Sequence, residues 1–416
     1  DEVSMVRADL LDSIDVFLRK YGRSKRKPFG GIRVVFIGDL YQLPPVVRSK
    51  EKSIFKDYYR SPYFFDAKVF EGLDVEYVEL QKVYRQSDDR FLDILNAIRN
   101  KTITEEQLEL LNSRVMPEFE PSEGDFYIYL TTTNKLADEI NRKNLKRLRT
   151  KKRTYKGKTT GDFEPDALPA PLSLELKAGA QVMLLNNDPY GRWINGTMGM
   201  LVDVEPQGKE KPDILWVELE DGSVVDVLPH RWEMFEYHYD KGTKSLITVP
   251  VGTYEQYPLR LAWAITIHKS QGLTFDRVII DIGRGTFSHG QVYVALSRCR
   301  SLDGLVLKKP LQLKHIWLDR RVVQFITSFQ YHLSEKEMPL EEKVKFIQKA
   351  IKRKRPVEIV YLKAKDERSK RVVLPLSLEE STYKGSSFLA LRAFCHLRSE
   401  ERTFNVKRIL ELREIE

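Results

Sequence analysis

Apolar positions along the chain recur at two periods, and these set the order of elements. Residues 7 to 20 place Leu10, Leu11, Ile14, Phe17 and Leu18 on one stripe at helical spacing, which predicts an amphipathic helix with that stripe inward. A basic loop at 22 to 28 follows. The continuous apolar run Ile32 to Ile37 then has the length of a strand buried in a parallel sheet. Phe91, Ile94, Leu95 and Ile98 repeat at three and four and predict a second amphipathic helix. Phe126 to Leu130 reads as a strand that ends in Thr131-Thr132-Thr133-Asn134 and passes into a helix. Hydroxyls at such a turn either cap the helix or bind a phosphate, and the sequence leaves both open.

The pattern changes between about Leu184 and Gln256 to short alternating strands around Met198 to Val204, Ile214 to Glu220 and Val224 to Leu228, punctuated by Asn195-Gly196 and Asp221-Gly222. Such spacing predicts a small β-barrel insert, with Trp193 and Trp232 in its core. Arg277 to Asp281 is a further strand, and Gln291 to Arg298 an apolar helical segment. A charged linker through Ser334-Glu335-Lys336-Glu337 leads to a helix with Val344, Ile347 and Ile351 on one face. Strands then follow at Pro356 to Leu362, Arg371 to Leu378 and Phe388 to Leu397. In the last, Leu389, Leu391, Ala393, Cys395 and Leu397 face a core, while Phe388, Arg392, Phe394, His396 and Arg398 face the other way. Cations interleaved with aromatics suit a stacking platform for single-stranded nucleic acid, and Arg402 and Lys407-Arg408 extend the basic character.

Composition narrows the class. A chain of 416 residues with 42% hydrophobic content has room for several domains. Lys and Arg outnumber Asp and Glu by 69 to 60, and the net charge of +9 favours a polyanionic partner. Two cysteines far apart, Cys299 and Cys395, indicate neither a disulfide framework nor a cysteine zinc site. With no apolar run of spanning length and no signal peptide, the expected compartment is cytoplasmic and nucleoid-associated, with no membrane partner.

Candidate chemistry concentrates in four blocks. Asp1-Glu2 has the form of a Walker B pair, the Asp suited to holding Mg²⁺ through its water shell and the Glu to activating water. Gly38-Asp39-Leu40-Tyr41-Gln42 follows the apolar run and delivers Gln42 to a sheet edge, where open α/β folds bind ligands. Arg85, in Val83-Tyr84-Arg85-Gln86, and Arg298, closing Val294-Ala295-Leu296-Ser297-Arg298, are the cations placed to stabilise charge on a transferring phosphoryl group. The fourth block runs from Leu261-Ala262-Trp263-Ala264-Ile265-Thr266 through Ile267-His268-Lys269-Ser270-Gln271-Gly272-Leu273-Thr274. No run of the form GxxxxGK[ST], the loop that wraps β- and γ-phosphates, occurs in the chain. The central strands of a first domain made from these residues alone are therefore expected to lack neighbours.

In this order and spacing the blocks resemble the motifs of superfamily-one DNA helicases, and most closely the petite-integration-frequency (PIF) helicases and their RecD-like relatives, over about residues 1 to 315. The resemblance implies an ATP-dependent motor using ATP and Mg²⁺ and translocating 5′ to 3′ on single-stranded DNA, with single-stranded and forked duplex DNA as partners and a monomeric state. It implies an α/β fold of two RecA-like domains, the first partial, with a Src-homology-three-like insert. Asp1, Gln42, Arg85, Gly272 and Arg298 then contact nucleotide, Gln42 as the γ-phosphate sensor. Thr132, Thr133, Asn134, Thr266, His268, Lys269 and Ser270 contact DNA. The tail is similar to the WYL domain, a mainly β, Sm-like module, through Val360-Tyr361-Leu362, Ser369 to Pro375 and Ala393 to Arg398. That likeness implies an anionic or nucleic-acid ligand at Tyr361, Arg371, Arg392, Phe394, His396, Arg398 and Arg402, and regulation of the motor. The expected domains are 1–75, 76–183 with 258–318, the insert 184–257, a linker 319–338 and the tail 339–416. Two other readings stay open: a non-catalytic single-strand-binding regulator, and a fragment of a conjugative relaxase-helicase.

Overall fold

The structure, a computed structural model, describes residues 1–80, 82–86, 88–122, 124–163, 168–208, 210–240, 242, 245–283, 285–286, 288–362, 368–383 and 386–415. It divides into two compact units. The first comprises residues 1–82, 96–103 and 316–416, and the second residues 83–95 and 104–315.

In the second unit, four parallel strands lie in the order Ala264–Thr266, Ile128–Thr131, Val278–Asp281, Leu305–Leu307. All but Tyr129 and the rim residue Asp281 are buried, as apolar strands covered on both faces must be. The helix Asn134–Arg147 follows the first of these in sequence, capped by the Thr133 hydroxyl, which accepts from Leu136 N at 3.3 Å. Asn141 fixes the helix to the edge strand by exchanging hydrogen bonds with the backbone N–H and C=O of Ala264.

The expected short strands appear at Met198–Glu205, Ile214–Leu219 and Val224–Val227. Their sheet is wider than the insert read from sequence. It takes in Gln181–Leu184 and Leu259–Leu261 from either side, in the order 259–261, 181–184, 198–205, 214–219, 224–227. Trp193 lies in the core beneath it, whereas Trp232 stacks on Tyr254 in a separate sheet built on the hairpin His230–Asp240 and Ser245–Gln256.

The first unit corrects three expectations. Ile32 to Ile37 is not a buried strand: it is extended but outside any sheet, with Ile32 43%, Val35 70% and Ile37 55% exposed. A strand needs a ladder of backbone bonds to a neighbour, and the pairing shown here is the bond from Val3 N to Ile37 O, 2.9 Å. No sheet is present among the described residues of 1–75, so the partial RecA-like first domain is not formed as an α/β layer. Second, the helix Ala8–Tyr21 buries Leu11 but leaves Leu10, Ile14 and Phe17 exposed, with Phe17 against the Tyr21 ring one turn on at 4.9 Å. Third, the stretch 319–338 is no linker. It is the helix Arg320–Glu337, begun by Asp319, whose carboxylate accepts from Arg321 N. Val322, Phe325, Ile326 and Phe329 recur at three and four along it. Phe325 stacks on Phe65 at 4.2 Å and meets Phe64 and Phe70 edge-on or tilted, so the aromatic cluster at 63–65 is packing.

The tail forms one antiparallel sheet in the order Glu400–Asn405, Ser386–Cys395, Arg368–Tyr383, Val357–Leu362, Ile409–Glu414. The helix Leu340–Arg353 lays Ile347 and Ala350 on it, with Val344 and Ile351 alongside. Leu391, Ala393 and Cys395 are fully buried as expected. Leu397 is not: the strand ends at Cys395, and the turn to Ser399, at φ 52°, carries Leu397 out to solvent.

Candidate nucleotide and nucleic-acid sites

On the first unit the two acidic residues and the glutamine block come together although they lie some forty positions apart. The Val3 N–Ile37 O bond ties the segment after Asp1-Glu2 to the segment before Asp39. Gly38 makes that approach possible, since a Cβ there would stand 2.8 Å from Val3 N and 3.1 Å from Val3 Cγ1. Glu2 adopts the left-handed conformation, φ 52°, and its N–H donates to the Asp1 carboxylate at 2.8 Å.

The glutamine loop is held from below. Asp39 accepts from Tyr41 N at 3.1 Å and pairs with Arg99 at 3.6 Å, and the Arg99 guanidinium lies 4.7 Å over the Tyr41 ring. Burial, with the nearby charges of Asp39 and Glu79, pushes the Tyr41 hydroxyl up to about 12. Gln42 N donates to Asp39 O at 3.0 Å. The Gln42 side-chain oxygen and the Ser4 hydroxyl are both buried with no hydrogen-bond partner among the described residues. An orphaned acceptor costs free energy unless something donates to it, so the buried Gln42 Oε1 fits a site for water or a ligand.

On the second unit the carboxyl ends of two adjacent parallel strands carry the candidate DNA residues, in register Thr131 to Thr266. Thr132 is buried, whereas Thr133 and Asn134 are exposed at the helix start. Ile267 N donates to Thr131 O, and the chain then turns tightly through Ser270 N to Thr266 O and Leu273 N to Ser270 O, with Gly272 at φ 83°. Thr266 is buried, its hydroxyl accepting weakly from Lys269 N at 3.4 Å. Ser270 is fully buried and donates to Ile267 O at 2.8 Å, so it shapes the turn and does not face a ligand in this conformation. His268 is half-buried and its imidazole is lowered by burial, while Lys269 is exposed.

Arg298 is not a cation held toward solvent. It is 1% exposed, and its guanidinium donates to Val294 O at 3.0 Å, Leu273 O at 3.0 Å and Ser297 Oγ at 2.9 Å. It thus satisfies carbonyls at the end of the helix Gln291–Ser297 and ties that end to the Leu273 turn. Arg85 is exposed. The two arginine segments nevertheless meet, because Gln86 Nε2 donates to Ser297 O at 3.2 Å across 211 residues. Gln86 thus joins the two segments, a contact that sequence reasoning passed over; its place directly after Arg85 was the available signal. Gly196, read only as a turn residue, also stands against this block, a Cβ there falling 2.5 Å from Leu273 Cδ2.

In the tail the expected platform is largely neutralised. Arg392 pairs with Glu401 at 2.8 Å and Glu379 at 3.8 Å, and Arg402 with Glu400 at 2.5 Å, since like strand positions place acids beside them. Arg371 is buried, donating to Ser369 Oγ at 2.9 Å and lying 3.6 Å from Cys395 Sγ. Tyr361 packs edge-on against Phe404, its hydroxyl accepting from Asn405 N. Phe394 meets His396 edge-on, and His396 and Arg398 are exposed.

Comparison with known proteins identifies the family. Residues 1–109 match the PIF1-like helicase family, residues 261–306 the UvrD-like helicase C-terminal domain, and residues 342–414 the WYL domain. The ATP-dependent DNA helicase PIF1 of Danio rerio is 36% identical over 313 residues, 73% of this chain and 45% of that protein. Pif1 of Bdellovibrio bacteriovorus is 33% identical over 337 residues, 79% of this chain and 70% of that protein. The chain thus spans less than half the length of the zebrafish relative. Among solved structures, Bacteroides Pif1 bound to single-stranded DNA is 36% identical with a TM-score of 0.62, over 80% of this chain and 75% of that one. Another Pif1 structure, at the same identity and a TM-score of 0.60, concerns unwinding at forked duplex DNA by two coordinating Pif1 helicases. With the α/β sheet, the paired motifs and these likenesses together, the chain belongs to the Pif1-like helicase family and carries a WYL domain.

Proposed function

We propose that this chain is the motor portion, from its Walker B pair onward, of an ATP-dependent DNA helicase that moves 5′ to 3′ on single-stranded DNA and acts at forks. The observation that carries this reading is the bond from Gln86 to Ser297 O, which brings the Arg85 and Arg298 segments together within one unit. Mg²⁺·ATP, when bound, supplies the phosphoryl group and the charge that must be neutralised. These side chains suit it: Asp1 would hold the ion through water, Glu2 would accept a proton from the attacking water, and the unpartnered Gln42 Oε1 would orient that water. Arg85 is the exposed cation for the transferring group. Arg298 acts by holding Gln291–Ser297 against the Leu273–Gly272 turn. Thr133, Asn134, His268 and Lys269 face the DNA backbone, with Thr132, Thr266 and Ser270 shaping their turns. The strand sheet at 181–261 serves as the Src-homology-three-like module. The Sm-like WYL sheet tunes the motor through a ligand at Tyr361, Phe394, His396 and Arg398, with Arg371, Arg392 and Arg402 ordering that face.

The test is ATP hydrolysis by the full-length gene product, with and without single-stranded DNA. Stimulation of turnover by DNA is expected. Silence under both conditions would move the assignment to a non-catalytic DNA-binding regulator.

A further inference from the structure

The WYL module carries a second basic surface, on the side of the helix Leu340–Arg353 away from its sheet. Lys345, Gln348, Lys349, Lys352 and Arg353 are all exposed there and surround a shallow cavity of about 290 Å³. From Lys345 to Arg355 the sequence has no acidic residue. The acids of this helix, Glu341 and Glu342, sit in its first turn, at the opposite end from Lys352 and Arg353.

The bland account is a solvated face whose last cations complement the helix dipole. Two observations go beyond it. On the strand face of the same module Arg392 and Arg402 each have a carboxylate within 2.8 Å, whereas on the helix face the ion pair among the described residues is Lys349 with Glu414, at 3.6 Å and half-exposed. The helix also places like charges three and four residues apart, at Lys345 and Lys349 and at Lys349, Lys352 and Arg353, an arrangement that is self-repelling until an anion lies across it.

The shape and chemistry of the face select the anion. It has no aromatic side chain, so it offers nothing on which an unstacked base could lie, and long flexible ammonium groups bind phosphate as point charges. We propose that this helix face binds the sugar–phosphate backbone of duplex DNA, independent of sequence, and is separate from the strand face read as the WYL ligand surface. The inference does not rest on ATP hydrolysis, and its test needs no nucleotide.

The experiment compares the full chain with the variant Lys345→Gln, Lys349→Gln, Lys352→Gln, Arg353→Gln. Binding to a labelled 20-base-pair duplex and to a single strand of the same length is followed by anisotropy between 50 and 200 mM salt. If four phosphates are contacted, the duplex log–log salt slope becomes shallower by about 3 to 4 and duplex affinity at 50 mM falls at least about tenfold. Single-strand binding is expected to stay within about twofold. Unchanged duplex affinity and slope overturn the proposal, and so does an equal loss on both DNA forms. A charge-keeping variant, Lys345→Arg with Lys349→Arg and Lys352→Arg, is expected to retain duplex binding; its failure to do so would also overturn the electrostatic assignment.

Discussion

Arg85 and Arg298 stand in motifs of similar clarity but in opposite surroundings, and their substitutions separate accordingly. Arg298→Ala removes a buried guanidinium bonded to two carbonyls and a hydroxyl and is expected to cost about 2–3 kcal/mol in urea unfolding. Arg85→Ala, on an exposed side chain, should stay within about 0.5 kcal/mol. Both should lose DNA-stimulated ATP hydrolysis in the full-length protein, so equal turnover in Arg85→Ala and wild type would remove Arg85 from the site. His268 gives a second prediction. Burial holds its imidazole below the ordinary 6.5, so it is neutral at pH 7 and, on the function proposed above, would meet a phosphate as a hydrogen-bond donor, not as an ion. His268→Ala should therefore weaken single-strand binding without changing the salt slope. Because the unfolded chain takes up this proton at higher pH than the native one, native stability should fall as pH drops below 6.5, and His268→Asn should flatten that fall.

The elements that matter most are short segments joined by single close approaches. Gly38 is one: a Cβ at 2.8 Å from Val3 N must displace backbone, not a side-chain tip. Gly38→Ala is expected to shift Asp1-Glu2 against the Gln42 loop and to lower kcat of the full-length ATPase by about a hundredfold, while the unfolding midpoint moves little. The helix Arg320–Glu337 is another. Its Phe325 lies among Phe64, Phe65, Phe70 and Phe329, and Phe325→Ala should destabilise the first unit by about 2–3 kcal/mol in denaturant unfolding, as loss of a mostly buried ring requires. Had 319–338 been a solvated linker, that substitution would be silent. The stripe at Val322, Phe325, Ile326 and Phe329 was readable in sequence, but the polar Ser334–Glu337 end drew the eye to a linker.

For the molecule as a whole, the net charge of +9 and the exposed Lys269 predict salt-sensitive binding of single-stranded DNA. With three phosphate contacts, raising salt from 50 to 200 mM should weaken single-strand affinity at least about tenfold, and a flat titration would argue against a backbone-reading surface. No helix among the described residues is long and apolar enough to cross a membrane. Local order was legible wherever a period or a motif spanned several residues. The strands at 128–131, 198–205 and 214–219 and the helix Asp89–Arg99 follow from spacing and from side-chain chemistry that a chain carries wherever it folds, and the motifs carried the resemblance to the family. What each polar group does could not be read that way. Whether Ile32 to Ile37 pairs, whether Arg298 reaches a ligand or a carbonyl, and whether Arg392 and Arg402 remain available cations depend on partners far away in sequence. Sequence determined the elements and the kind of chemistry, because both are properties of local pattern. The tertiary structure decided which cations are spent and which are left to act, because a charge buried among carbonyls or paired with a carboxylate loses to that neighbour what it would otherwise offer a ligand.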